Sequence, residues 1–320
     1  MENSKQKLIS IVIPCYNEEK NIDRTFDALI ELSHDHKYNF EFIAVNDGSK
    51  DTTWEVITRY AKKHDRIIGV NMMTNYGLTQ AYMAGFKHSK GDFVITMAAD
   101  LEIPVGNLNK VIDYLDEGYD FVNTNRIGRW GKDRAVKSGI ANKIISKVSH
   151  VTMKDRGSGM KGFRRIIIDN LKMYGEMHRF IPDYLTLFGA KMIEFDVEFR
   201  DRDFGKSAYS KQKRTIKVIL DIMTLAFMLY FSKKPFYAMP GRLFGFTGAV
   251  IAGVGGIFLS YLFVLKLLGY SIGSRPLFIV AILMFVMGIQ SVMMGMLGEL
   301  MMRTYFEGSK KDTFLIREVI

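Results

Sequence analysis

The sequence holds a single cysteine, Cys15, in 320 residues. One thiol closes no internal disulfide, and no Cys/His cluster has the spacing of a zinc site. Cys15 reads as a small buried apolar residue. Also missing are a Walker A loop and a Rossmann glycine fingerprint, so phosphates are not held in a Gly-rich cradle. The glycines from Gly253 to Gly256 lack the strand-turn-helix setting such a fingerprint requires. No signal peptide is expected, because Met1 to Lys7 is polar and Leu8 to Pro14 is too short an apolar run. The N-terminal portion is therefore expected to stay in the cytosol. Acidic residues fall short of basic ones, 34 against 44. That balance attracts polyanions, meaning nucleic acid, anionic lipid or phosphorylated ligands. No nucleic-acid motif accompanies it, so nucleic acid is not an expected partner.

What is present divides by solvent. Residues 1 to about 210 mix charge with short apolar runs, whereas Leu243 to Leu268 and Leu277 to Met302 are nearly uncharged. Crossing a bilayer takes ~20 apolar residues, and soluble helices of that length keep a polar face. Two transmembrane helices are expected, joined by the Gly/Pro-marked turn from Gly269 to Pro276. Lys233, Lys234, Arg242, Arg303, Lys310, Lys311 and Arg317 flank the open side, against Lys266 and Arg275 near the turn. This bias places both termini in the cytoplasm. Gly248, Gly253, Gly255 and Gly256, with Gly288, Gly295 and Gly298, allow close helix packing. Upstream, Lys211 to Lys217 leads into an apolar stretch, a pattern fitting a helix in the headgroup region or a core helix of the soluble domain. The expected organisation is a soluble domain over 1–210, an interfacial region over 211–240, a hairpin over 241–304 and a cytoplasmic tail over 305–320.

In the soluble part, Leu8 to Pro14, Phe40 to Asn46, Arg66 to Asn71 and Asp92 to Met97 alternate with helix-length segments. That is the pattern of an α/β fold with a mostly parallel sheet. Asp120 to Asn125 adds a fifth strand after a helix opened by Pro104 and closed by Gly118. Ligands of such sheets bind beyond the carboxyl ends of the strands. Pro14, Tyr16, Asn17 and Glu18 follow the first strand, Asp47 the second, and Asp100 with Glu102 the fourth. Each segment alone is an ordinary turn or helix start. Converging carboxylates without a glycine cradle point to a divalent cation, Mg²⁺ or Mn²⁺, beside a diphosphate.

These residues resemble family 2 glycosyltransferases of the GT-A fold, and more closely the polyprenyl-phosphate sugar transferases related to dolichol-phosphate mannose synthase. The likeness rests on Ser10 to Glu18, Val45 to Asp51, Asn75-x-Gly77-x3-Ala81-x3-Gly85, Met97 to Pro104, Arg126, His178-Arg179-Phe180, Gly205-x-Ser207-x-Tyr209 and the terminal hairpin. It implies that Pro14, Tyr16, Asn17, Glu18 and Asp47 hold the donor nucleoside and that Asp100 binds metal and diphosphate. Arg126, Arg129 and Arg134 would hold phosphates, although the last two also fit a solvated basic loop. His178, Arg179, Lys206, Ser207 and Tyr209 would meet the acceptor lipid phosphate.

Three positions depart from the family. Ala98 stands where relatives carry the first Asp of Asp-x-Asp, and Glu102 where they carry Gln; Glu102 is expected to restore the lost charge as a second metal ligand. Ser158 occupies the place of a proposed catalytic Asp, leaving Asp155 as the displaced candidate base. Ala208 replaces a basic residue, with Lys206 adjacent. The resemblance implies transfer of one sugar, with inversion, from a UDP-sugar to undecaprenyl phosphate at the bacterial cytoplasmic membrane. It also favours a homo-oligomer. A processive polysaccharide synthase and an inactive membrane scaffold are the alternatives, the first lacking its Gln-x-x-Arg-Trp motif here.

Overall fold

The computed structural model describes residues 6–34, 36–128, 151–173, 177–200, 240–273, 275–308 and 316–320. They fall into two compact units, one built from 6–200 with 316–320 and the other from 240–308.

The first unit is an eight-stranded sheet. Its strands are β1 (Leu8–Cys15), β2 (Asn39–Asn46), β3 (Ile67–Met72), β4 (Phe93–Thr96), β5 (Phe121–Ile127), β6 (Lys161–Arg164), β7 (Met192–Glu198) and β8 (Ile316–Val319), in the order β7-β5-β6-β4-β1-β2-β3-β8. β1 runs parallel to β2 and β4, and β2 parallel to β3. β6 enters antiparallel between β4 and β5, and β7 lies parallel to β5. The five strands expected from the sequence all form, within two residues of their expected ends.

Side-chain alternation explains the layering. Ile9, Ile11 and Ile13 point into one core with Phe26 and Leu29 of α1 (Ile22–His34), Ile57 of α2 (Thr53–Ala61) and Val111, Ile112 and Leu115 of α4 (Asn107–Asp116). Val12 points the other way, onto α3 (Leu78–His88). A β-carbon on Gly85 would lie 2.2 Å from Val12 Cγ1, so only glycine lets α3 settle on the sheet. Two short helices, α5 (Arg165–Asn170) and α6 (Ile181–Leu185), follow β6.

The chain end differs from its expectation as a plain tail. β8 pairs antiparallel with the edge strand β3, and Gly69 and Ile320 exchange both backbone hydrogen bonds at 2.8 and 3.0 Å. A four-residue strand whose partner lies across the hairpin in sequence carries no local signal of this pairing. It covers an edge that would otherwise present unpaired amides.

The second unit is the hairpin of α7 (Pro240–Leu267) and α8 (Pro276–Gly308). Leu243–Leu267 and Pro276–Gly298 are each long and apolar enough to span a membrane, and only 17% and 11% of their apolar windows are buried. A core helix of a soluble protein would be mostly covered. Gly248, Gly255 and Gly288 are at the helix contact, where added β-carbons would come within 2.3–2.7 Å of the facing backbone. Gly253 faces open space instead. Ser291 Oγ donates to the Phe244 carbonyl at 3.0 Å, a polar tie between the two helices. The expected interfacial region lies outside the described residues.

Candidate active site

The carboxyl ends of β1, β2 and β4 lie side by side because β1 is central. The turns after β1 and β2 are laced together. Asn17 adopts φ 56°, a conformation Asn tolerates, and its side chain accepts from Lys50 N–H at 2.9 Å while its own amide donates to Ser49 Oγ at 3.0 Å. Glu18 N–H donates to Thr53 Oγ1 at 2.9 Å, and Asn21 Nδ2 donates to the Glu18 carboxylate at 2.6 Å. Pro14, Tyr16, Asn17 and Glu18 are thus presented on a rigid rim.

Asp47 is 4% exposed and accepts from Tyr76 N–H at 2.7 Å and Gly77 N–H at 3.0 Å, one amide per carboxylate oxygen. Asn75 Nδ2 donates to the Asp47 carbonyl at 3.2 Å. Gly48 makes this approach possible: its φ is +65°, and a β-carbon there would sit 2.4 Å from the Thr74 carbonyl carbon. The Asn75-x-Gly77 pair quoted in the resemblance therefore serves Asp47.

Burial pushes the Asp47 carboxyl up from 3.8 to about 6, against the opposing pull of the Tyr76 and Gly77 amides. With the folded value raised, the contribution favouring the fold is complete below 3.8 and is lost as pH rises through about 6. Nucleotide binding that needs the carboxylate runs the other way. Ionised Asp47 would be about a tenth of the total at pH 5, so uridine diphosphate should bind roughly tenfold more weakly there than at pH 7.5. Calorimetric titration across that range checks this expectation, and a flat profile refutes a role for ionised Asp47.

After β4 the chain turns through Leu101 at φ 55°, and Glu102 N–H donates to Asp100 Oδ1 at 3.3 Å. Thr25 Oγ1 donates to the Ala99 carbonyl at 2.7 Å and pins the turn to α1. Asp100 is partly exposed at the strand end; Glu102 is 8% exposed and turns inward. Arg126, at the end of β5, donates from Nε and Nη2 to the two Asp155 oxygens at 2.6 and 3.0 Å, and from Nη1 to Glu102 Oε2 at 3.4 Å. One buried guanidinium thus joins two carboxylates from different loops. A cavity of about 10 Å³, lined by Met97, Ala98, Glu102, Ile103, Arg126, Gly159 and Met160, opens beside Ala98. It has room for roughly one water.

The setting of Asp155 is that of an anchor rather than a free base. Its backbone N–H donates to Glu194 Oε1 at 3.2 Å, and its carbonyl accepts from Asn123 Nδ2 at 2.9 Å. Ser158 is 3% exposed, with its hydroxyl 2.5 Å from Thr124 Oγ1. Arg156 fixes the same loop to α6 through a buried bidentate pair with Asp183 at 2.8 and 3.0 Å. Glu194, Thr124 and Asp183 were not singled out from the sequence, and nothing local to them signals a partner so far away. His178 and Arg179 lie on the turn Met177–Arg179, where His178 meets Thr79 of α3. Arg129, Arg134, Lys206, Ser207 and Tyr209 lie outside the described residues. Among the described residues, no three His, Cys, Asp or Glu side chains gather as a metal cage.

Residues 10–172 match the family described as Glycosyl transferase family 2. The undecaprenyl-phosphate 4-deoxy-4-formamido-L-arabinose transferase of Aeromonas hydrophila is 32% identical over 326 residues, covering 100% of this chain and 96% of that protein. The enzyme of the same name from Salmonella choleraesuis is 34% identical, covering 98% and 94%. In fold, the chain is similar to glucosyl-3-phosphoglycerate synthase from Mycobacterium tuberculosis, with a TM-score of 0.54, 18% identity, and 69% of this chain and 80% of that one covered. The family match spans just over half of the chain and the sequence likeness runs its whole length: the protein is a glycosyltransferase and belongs to glycosyl transferase family 2.

Proposed function

We propose that this glycosyltransferase moves one sugar from a UDP-sugar to undecaprenyl phosphate at the cytoplasmic face of a bacterial membrane. The observation that carries the reading is the full-length likeness to named undecaprenyl-phosphate transferases, which extends through the hairpin. Asp47 and the rim from Pro14 to Glu18 take the nucleoside. Asp100 faces the diphosphate.

Hard oxygen donors at the end of β4 fit Mg²⁺ or Mn²⁺, which needs only one or two protein carboxylates when substrate phosphates fill other positions. Asp100 would hold the cation, with Glu102 lending charge from the buried side. When bound, the cation supplies positive charge for the departing nucleoside diphosphate.

The acceptor phosphate oxygen attacks the anomeric carbon as the bond to the nucleoside diphosphate breaks on the opposite face, giving a lipid-phosphate sugar whose anomeric configuration is the inverse of the donor's, β from an α-linked donor. A phosphate monoester with a second pKa of ~6 is already a dianion at neutral pH, so no base has to remove a proton. This agrees with an Asp155 engaged by Arg126 and a Ser158 turned to Thr124. The protein's task is then to orient the attacking phosphate and screen its charge, work suited to His178 and Arg179.

The test uses the full chain in detergent with undecaprenyl phosphate, labelled UDP-sugars including the formamido-arabinose donor, and Mg²⁺, Mn²⁺ or EDTA. Label should move into the organic phase from one donor, and EDTA should abolish the transfer. Nucleotide binding with no lipid-linked label from any donor would mark an inactive scaffold instead.

A further inference from the structure

β8 follows the hairpin in sequence and closes the outer edge of β3. The two ends of this pairing differ. At one end Gly69 and Ile320 exchange backbone hydrogen bonds, and the Ile320 side chain closes over Gly69 together with Trp54 and Ile57 of α2. A β-carbon on Gly69 would lie 2.9 Å from Ile57, 3.0 Å from Ile320 and 3.2 Å from Trp54, so these side chains use the space that a larger residue at 69 would occupy. At the other end the register slips. Glu318 faces Asn71 and Ile316 faces Met72, which leaves Arg317 as an extra residue in β8. The ladder therefore holds β3 as far as Met72, its last residue before the turn that brings the Tyr76 and Gly77 amides to Asp47.

From Asn71 a series of side-chain bonds leads to the donor rim. Asn71 and Asn46 are 9% and 3% exposed, and Asn46 Nδ2 donates to Asn71 Oδ1 at 2.8 Å. Asn46 Oδ1 accepts from Ser49 N–H at 3.1 Å, and Ser49 Oγ accepts from the Asn17 amide at 3.0 Å. Trp54 and Ile57 belong to the helix whose first residue, Thr53, accepts from Glu18 N–H. Both ends of β8 thus bear on groups that fix Asn17 and Glu18. We infer that β8 is a positioning element of the donor site: by holding the carboxyl end of β3 and the start of α2, it keeps the rim from Pro14 to Glu18 and the turn at Asp47 formed for the nucleotide. This rests on the proposed placement of the nucleoside at Asp47 and the rim. Without β8, β3 is paired on one side only, and backbone with fewer neighbours opens locally at lower cost. A ligand then meets the formed rim in only a fraction of the molecules, and its dissociation constant rises as the inverse of that fraction.

The test compares the full chain in detergent with a chain ending at Leu315 and with Ile320→Pro, which removes the N–H donated to the Gly69 carbonyl and keeps the rest of β8. Uridine diphosphate should bind the shortened chain at least about fivefold more weakly at neutral pH, the cost of ordering roughly one residue of backbone on binding. Ile320→Pro should fall between the two, and it keeps the test open if the shortened chain does not fold. The KM for the nucleotide donor should rise in step, while the KM for undecaprenyl phosphate stays near its full-chain value. Hydrogen exchange at the Ser49, Tyr76 and Gly77 amides should quicken as β8 is lost. A lowered melting temperature with an unchanged uridine diphosphate constant overturns the inference, because β8 would then cover the edge and do no more. Donor and acceptor constants that rise together overturn it too, as does weaker binding with unchanged exchange at those three amides. A full chain that does not bind uridine diphosphate at all overturns the nucleoside placement itself, and the inference falls with it.

Discussion

Asp100→Asn should lower kcat for sugar transfer by ~10³-fold, at the upper end of what removing a single group that stabilises developing charge costs. The reason for expecting the upper end is local. The resemblance would place a second carboxylate two residues earlier, where this chain has Ala98. Glu102 is the other carboxylate of the segment, and Arg126 draws one of its oxygens to 3.4 Å. Asp100 is therefore left with most of the work at the diphosphate. Glu102→Gln should cost less, roughly tenfold, and should raise the Mn²⁺ concentration needed for half-maximal rate and for binding followed by electron paramagnetic resonance. Adding Ala98→Asp to Glu102→Gln should bring both back toward the starting values. The cavity beside Ala98 has room for roughly one water, so the new carboxylate has to turn toward the strand-end opening where Asp100 is partly exposed. If Asp100→Asn keeps its rate, the strand-end assignment is wrong. If the double variant stays as weak as Glu102→Gln alone, charge migration from position 98 to 102 is wrong.

The sequence made β1 to β5 legible because their apolar runs are long enough to stand out between turn residues. It hid β6, which is four residues with Lys161 and Arg164 at its ends, although Lys161 is 2% exposed in the sheet. β7 was legible in principle, because Ile193, Phe195 and Val197 alternate with Glu194, Asp196 and Glu198 as in a half-faced strand, but it lacks the continuous apolar run that marked the others. The alternation of strands and helices was enough to put Asp47 and Asp100 just beyond the carboxyl ends of β2 and β4, where the structure has them. What it could not give is the pairing of side chains across loops. Arg126 and Asp155 are 29 residues apart and Thr79 and His178 are 99 apart, and only the folded register brings either pair together. The roles expected of Arg126 and Asp155 came from matching single positions, and a single position carries no information about its ion-pair partner.

That partner relation yields the largest expected effect on stability. Arg126→Met should destabilise the soluble unit by about 3–5 kcal/mol, because breaking a buried ion pair strands the charges it neutralised. The Arg126 side chain is 3% exposed, and its removal takes from Glu102 and Asp155, 10% and 15% exposed, the guanidinium they share. In a unit of this size the loss should lower the melting temperature by roughly 10 °C, read by intrinsic fluorescence in detergent. A companion variant separates burial cost from fold damage. Arg126→Met combined with Glu102→Gln and Asp155→Asn removes all three charges, and since replacing a whole buried ion cluster is often neutral, most of the melting temperature should return. Activity should not return with it, because the loop from Lys154 to Gly159 would have lost the guanidinium that fixes Asp155. If the triple variant melts as low as Arg126→Met alone, the instability comes from lost packing around the guanidinium stem rather than from unpaired charge. The same logic explains why Glu102 is tolerated so near the core: a Gln there would leave Arg126 with one carboxylate, whereas Glu gives the guanidinium a second. The carboxylate at position 102 is then stabilised by Arg126 from within while its charge remains within reach of Asp100.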